Sequence, residues 1–110
     1  MDNLFNSRNQ IVKELYQSLL KELKQFGPVI EEPKKTSIHL KNKAGFAGVH
    51  PRKDYLIVNI VTSETIISPR IVKQEQVSKS RFHNEIKLES PQDIDAELIS
   101  WLQSAYTLMQ

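Results

Sequence analysis

The sequence predicts an α+β domain: a helix, a mostly antiparallel five-stranded sheet and a C-terminal helix, with both helices packed on one sheet face. Three observations carry this. Apolar residues recur at helical spacing near both ends of the chain, over 7–26 and 91–109. Between them lie short alternating or continuous apolar runs, bounded by Pro, Gly, Asn and Ser. Strands enclosed by helices, rather than alternating with them, belong to the α+β class. The 110 residues are the size of one domain, 1–110, of which 1–6 are expected to be disordered.

Over 7–26, Val12, Leu15, Tyr16, Leu19, Leu23 and Phe26 form one stripe, widened by Ile11 and Leu20. Ser7 and Gln10 have capping-box spacing at its start. Gly27 and Pro28 supply a stop. Residues 28–35, punctuated by Pro28 and Pro33, read as a connector. Five strands follow. Thr36–Lys41 alternates, with Ile38 and Leu40 on one side and His39 on the other. Phe46–Val49 and Tyr55–Val61 flank His50-Pro51-Arg52-Lys53, which reads as a type I turn with proline second. Tyr55–Val61 is almost continuously apolar, the pattern of a central strand covered on both faces. Ile71–Val77 and Phe82–Leu88 form the last pair, joined by a turn over Ser78–Arg81. The second helix, 91–109, buries Ile94, Leu98, Trp101, Leu102, Ala105 and Met109, with Ser90 as N-cap and Pro91 in the first position.

Composition excludes several classes. There is no cysteine, which removes disulfides, thiol catalysis and cysteine-based metal centres. No apolar run approaches the ~18 residues of a membrane span. MDNLFNSRNQ lacks a signal layout, so a cytoplasmic protein without a membrane partner is expected. The histidines His39, His50 and His83 form no metal-ligand spacing. There is no G-x-S-x-G elbow, and Gly27, Gly45 and Gly48 fit no phosphate-binding loop. No catalytic residue, metal or cofactor is assigned on this basis.

Charge is the remaining signal. Residues 34–87 hold eleven Lys and Arg against four acids, a surplus of seven, although the whole chain is only +2. The chain also resembles a known family. "KKTSIHL", "FAGVHPRKDYLIVNI", "SPRIVKQEQVSKSRFHNEIKL" and "SPQDIDAELISWLQSAY" resemble the small bacterial domain of unknown function fifty-six fifty-five, from about Pro33 to Met109. The resemblance implies a compact α+β domain and no assigned activity. Some relatives carry the domain beside nuclease-like or DNA-associated regions, which implies an association with nucleic acid.

Charge and resemblance together mark His39, His50, Arg52, Lys53, Arg70, Lys79, Arg81, His83 and Asn84 as candidates for an anion-binding surface. The expected function is a non-catalytic module binding nucleic acid, a nucleotide or an acidic protein surface. Two alternatives stand beside it. One is a small enzyme with a cleft around His39, His50, Arg81 and His83. The other is a protein–protein adaptor or homodimer that exposes Trp101 or Tyr106 on the second helix.

Overall fold

The computed structural model describes residues 4, 5 and 9–110. Helix α1 spans Gln10–Leu23, and six strands follow: β1 Ile30–Pro33, β2 Ile38–Lys41, β3 Gly45–Pro51, β4 Leu56–Thr62, β5 Ile71–Ser78 and β6 Arg81–Leu88. A 3₁₀ turn, Pro91–Asp93, precedes helix α2, Ala96–Leu108. The strands form one antiparallel sheet in the order β1-β2-β3-β4-β6-β5.

The sheet has six strands where five were expected. The additional one, β1, lies inside the predicted connector. Its four residues, Ile-Glu-Glu-Pro, are too few and too polar to show alternation; pairing with β2 makes them a strand. An edge position tolerates Pro33, which has no N–H to give a second neighbour.

Each predicted boundary that moved has a local cause. The capping box at Ser7 lies outside the described residues, and Asn9 occupies the N-cap. The helix ends at Leu23, because Gln25 and Phe26 donate to carbonyls three residues back and tighten the chain. Gly27 then adopts φ 143°, past the C-cap, and the space a Cβ would need is taken by the Tyr106 hydroxyl at 2.7 Å. The second helix is split. Ile94 leaves helical geometry, so Asp95 rather than Ser90 is the N-cap of α2 and accepts from the Leu98 N–H. The predicted turn over His50–Lys53 moves by two residues. Pro51 belongs to β3 and pairs with Leu56, and the turn is closed by the Arg52 N–H donating to Tyr55 O at 2.9 Å. That places Pro51 beyond Val49, the last residue of β3 paired with β2.

The two sheet faces differ in chemistry. Ile38, Val49, Val58 and Ile86 are partners in register across four strands, and all are fully buried. They pack in one core with Val12, Leu15, Tyr16, Leu19 and Leu23 of α1 and Leu98, Leu102, Ala105 and Tyr106 of α2. Phe46 joins this core at the irregularity where Lys41 meets Gly45, its ring 5.2 Å from that of Tyr106. Leu4 and Phe5, within the stretch expected to be disordered, are buried in it as well; residues 1–3 and 6 of that stretch lie outside the described residues. Both helices thus cover one face, as expected. Because successive residues of a strand point to opposite sides, the other face displays a second register row: Glu32, His39, Gly48, Asn59, Glu85 and Lys73, one from each strand. Tyr55–Val61 was expected to be covered on both faces. Among the described residues no helix covers this second face, and Ile57 and Val61 are buried there between neighbouring strands.

Candidate functional site on the open sheet face

His39, His50 and His83 come from β2, β3 and β6 and share the open face. His39 is the register partner of Gly48, which is the partner of Asn59. His50 and His83 flank this row from one position above and below, opposite Ile57 and Val61. The three imidazoles line one shallow depression of about 200 Å³ together with Gly48 and Asn59. A contiguous recess of about 140 Å³ shares His50, Asn59 and His83 and adds Lys73, Glu75 and Glu85. Adjacent strands lie ~4.8 Å apart, so these side chains span roughly 10–15 Å of sheet.

The glycine and the asparagine shape this surface. Gly48 leaves the floor low between the imidazoles; a Cβ there would sit 3.9 Å from both Asn59 Cβ and His50 Nε2. Asn59 interrupts the apolar run of β4. Its Oδ1 is buried and accepts no hydrogen bond from the described residues. A buried acceptor without a donor costs about 1–3 kcal/mol, a cost that a water or a ligand group reaching Oδ1 from the open face would remove.

His50 is held below the ordinary histidine range, first by burial and then by the positive charge of Arg52, with His39 acting the same way and Glu85 opposing. It is therefore a neutral imidazole at neutral pH, with one N–H to donate and one nitrogen to accept.

None of the other candidates lines either recess. Arg52 stands at the rim, close enough to act on the charge of His50. Lys53 is exposed at the β3–β4 turn, where its carbonyl accepts from the Asn9 N–H and Asp54 accepts from the Asn9 side chain. That turn thereby anchors the start of α1. Arg81 begins β6 on the parity of His83, and its guanidinium donates to Ser80 O at 2.7 Å. Lys79 is exposed in the β5–β6 turn. Two candidates lie elsewhere. Arg70 donates to Asp95 at 2.9 Å, to Glu97 at 3.1 Å and to the Asp93 carbonyl at 2.7 Å, and lies over Trp101, so it fastens the start of α2. Asn84 faces the core, donating to Ile60 O and Thr62 Oγ1 and accepting from Gln74 Nε2.

Sequence reasoning missed Asn59 and Glu85 as neighbours of the three histidines, whereas Glu75 and Lys73 belong to the polar and basic set it had marked. One signal was available: a lone amide inside Leu-Ile-Val-Asn-Ile-Val. Trp101 is half-buried beneath Arg70 and Tyr106 is buried, so neither presents the exposed patch expected of an adaptor. A separate recess of about 640 Å³ lies between α2 and the segment after β4. Glu64 is its one ionisable side chain, and none of the candidate residues lines it. Among the described residues no group of three His, Asp or Glu side chains is arranged to hold a metal ion, and no helix is long and apolar enough to cross a membrane.

An antiparallel sheet backed by two helices, with a polar histidine-lined depression on its uncovered face, defines the class: an open-faced α+β domain. The chain belongs to the family described as domain of unknown function (DUF5655), whose model matches residues 1–109. The match takes in the N-terminal helix as well as the blocks from Pro33 onward. No curated protein and no solved structure matches the chain.

Proposed function

We propose that this protein is a non-catalytic, cytoplasmic binding module that holds an anionic group, such as the phosphate of a nucleotide or of a nucleic-acid strand, on the open face of its sheet. The observation that carries this is the convergence of His39, His50 and His83 on one depression floored by Gly48. Neutral imidazoles donate one hydrogen bond each, and protonated ones add charge. Arg52 at the rim supplies a permanent cation suited to bidentate contact with phosphate or carboxylate. The absence of cysteine supports the cytoplasmic assignment.

Imidazole resonances followed by NMR during titration with inorganic phosphate, and then with a short single-stranded oligonucleotide, test the proposal. All three histidines are expected to shift together, and apparent affinity is expected to fall from low to moderate salt. Unmoved histidine resonances at low salt would reject it.

The enzyme alternative is supported in part: the three histidines share one face with Glu75 and Glu85 beside them, but Arg81, its fourth residue, lines neither recess. Turnover of a bound phosphoester, lost in His50→Asn, is the result that would favour that reading.

A further inference from the structure

The depression has two chemically different ends. Toward β2 and β3 it is lined by His39, His50 and Gly48, with no acid among its lining residues. Toward β5 and β6 it gains Glu75, Glu85 and Lys73, which join His50, Asn59 and His83. Lys73 is the register partner of Glu85, yet no ion pair joins them among the described residues, whereas Glu32 in the same row is paired with both Lys34 and Lys41. Asn59 stands between the two ends, and its buried Oδ1 accepts from no donor among the described residues. An anion alone satisfies the imidazole end and leaves Asn59 Oδ1, Glu75 and Glu85 open to a donor from the ligand or from solvent.

From this juxtaposition we infer that the ligand is a small zwitterion: its anionic group lies against His39 and His50, and an ammonium or other N–H donor lies against Asn59 Oδ1, Glu75 and Glu85. The inference rests on the proposed anion site and adds a second pole to it. The row from β3 to β6 crosses two strand spacings, ~10 Å between backbones. Side chains of one face stand side by side at that spacing, so the span suits opposite charges a few bonds apart. The adjoining recesses of about 200 and 140 Å³ hold a molecule of this size without a bulky body. Each bond has its donor in place: imidazole N–H groups donate to the anion, and the ammonium donates to the amide and carboxylate oxygens.

The test compares 3-aminopropylphosphonate with propylphosphonate, which lacks the amine, by calorimetric titration of the full chain, with imidazole NMR shifts as site report. The zwitterion is expected to bind at least tenfold tighter, and the advantage is expected to fall to about twofold or less in Glu75→Gln and Glu85→Gln. Both glutamates lie on the sheet surface, and propylphosphonate binding by the variants checks that the fold and the imidazole end survive. Equal affinity for the two compounds overturns the zwitterion inference and leaves the anion site standing. Failure of both to bind overturns the anion site and the inference together. An advantage undiminished in both variants also overturns the inference, because it places the amine elsewhere.

Discussion

Two asparagines one strand apart illustrate how much is decided by the face a residue is given. Asn84 sits in the core-facing row and has partners for its amide and its carbonyl. Replacing it with leucine should leave Ile60 O and the Gln74 amide without that partner and lower unfolding free energy by about 1–3 kcal/mol in a denaturant titration. Asn59 sits on the open face, its oxygen without a donor among the described residues. Asn59→Val should therefore leave stability unchanged or raise it, while weakening ligand binding; the pairing of those two readouts separates a site residue from a structural one. Glycines divide the same way. Gly48 has no positive φ and space for a methyl group, so Gly48→Ala should fold with unchanged midpoint and bind less well, its methyl raising the floor. Gly27→Ala faces a φ of 143° and the Tyr106 hydroxyl, and should destabilise by about 1–3 kcal/mol.

At the scale of elements, the start of α2 is held by side chains from outside the helix. Asp95 accepts from the Leu98 N–H and from Arg70, which also reaches Glu97 and the Asp93 carbonyl. The Leu98 N–H, followed by the Arg70 guanidinium, holds the Asp95 carboxyl below the usual carboxylate range. Its folded value is depressed, so its contribution is present above the ordinary carboxylate range and is lost as pH falls through the folded value. Both acids are about half exposed, so the ion pairs themselves add little. Asp95→Ala should cost about 1 kcal/mol through loss of the cap, and Asp95→Asn less, because asparagine also caps well. Arg70→Met should lower amide exchange protection at Leu98 and Ile99 first and leave the imidazole resonances in place. Arg70, Asp93 and Asp95 are plain in the sequence, and so is the helix they serve. Their mutual contacts are not, because they join residues more than twenty positions apart, and only the fold sets that distance.

For the whole molecule, the basic surplus of residues 34–87 proves to be partly internal. Lys34 and Lys41 meet Glu32, Arg70 meets Asp95 and Glu97, and Lys87 meets Glu89 while lying over Tyr55. Counting charge along the sequence therefore overstates the unpaired charge of this segment. Acidification is expected to act in two windows. His50 is held below the ordinary histidine range, so the unfolded chain takes up its proton first; stability declines as pH falls from that range to the folded value. Asp95 and Glu32, both depressed by their partners, act at lower pH. Histidine NMR titration of Arg52→Ala should show the His50 midpoint move upward toward the ordinary value, and the first window should narrow in thermal unfolding scans. A His50 midpoint indifferent to Arg52 would place that arginine away from the site.

Local sequence alone determined the helices, five of the strands and the parity that sends Ile38, Leu40, Ile86 and Leu88 inward and His39, His83 and Glu85 outward. Hydrophobic period is a property of neighbouring residues, so it is readable without a fold. Tertiary structure decided the rest. It made a strand of Ile30–Pro33 by giving it a partner, and moved the turn from His50 to Arg52, which returned His50 to the sheet. Cross-strand register then set His39 beside Gly48 and Asn59 beside Glu85. Register depends on which strands pair, and here β4 passes over β5 to pair with β6, burying its apolar residues at the sheet centre. A site gathered from five strands comes into being only when that choice is made.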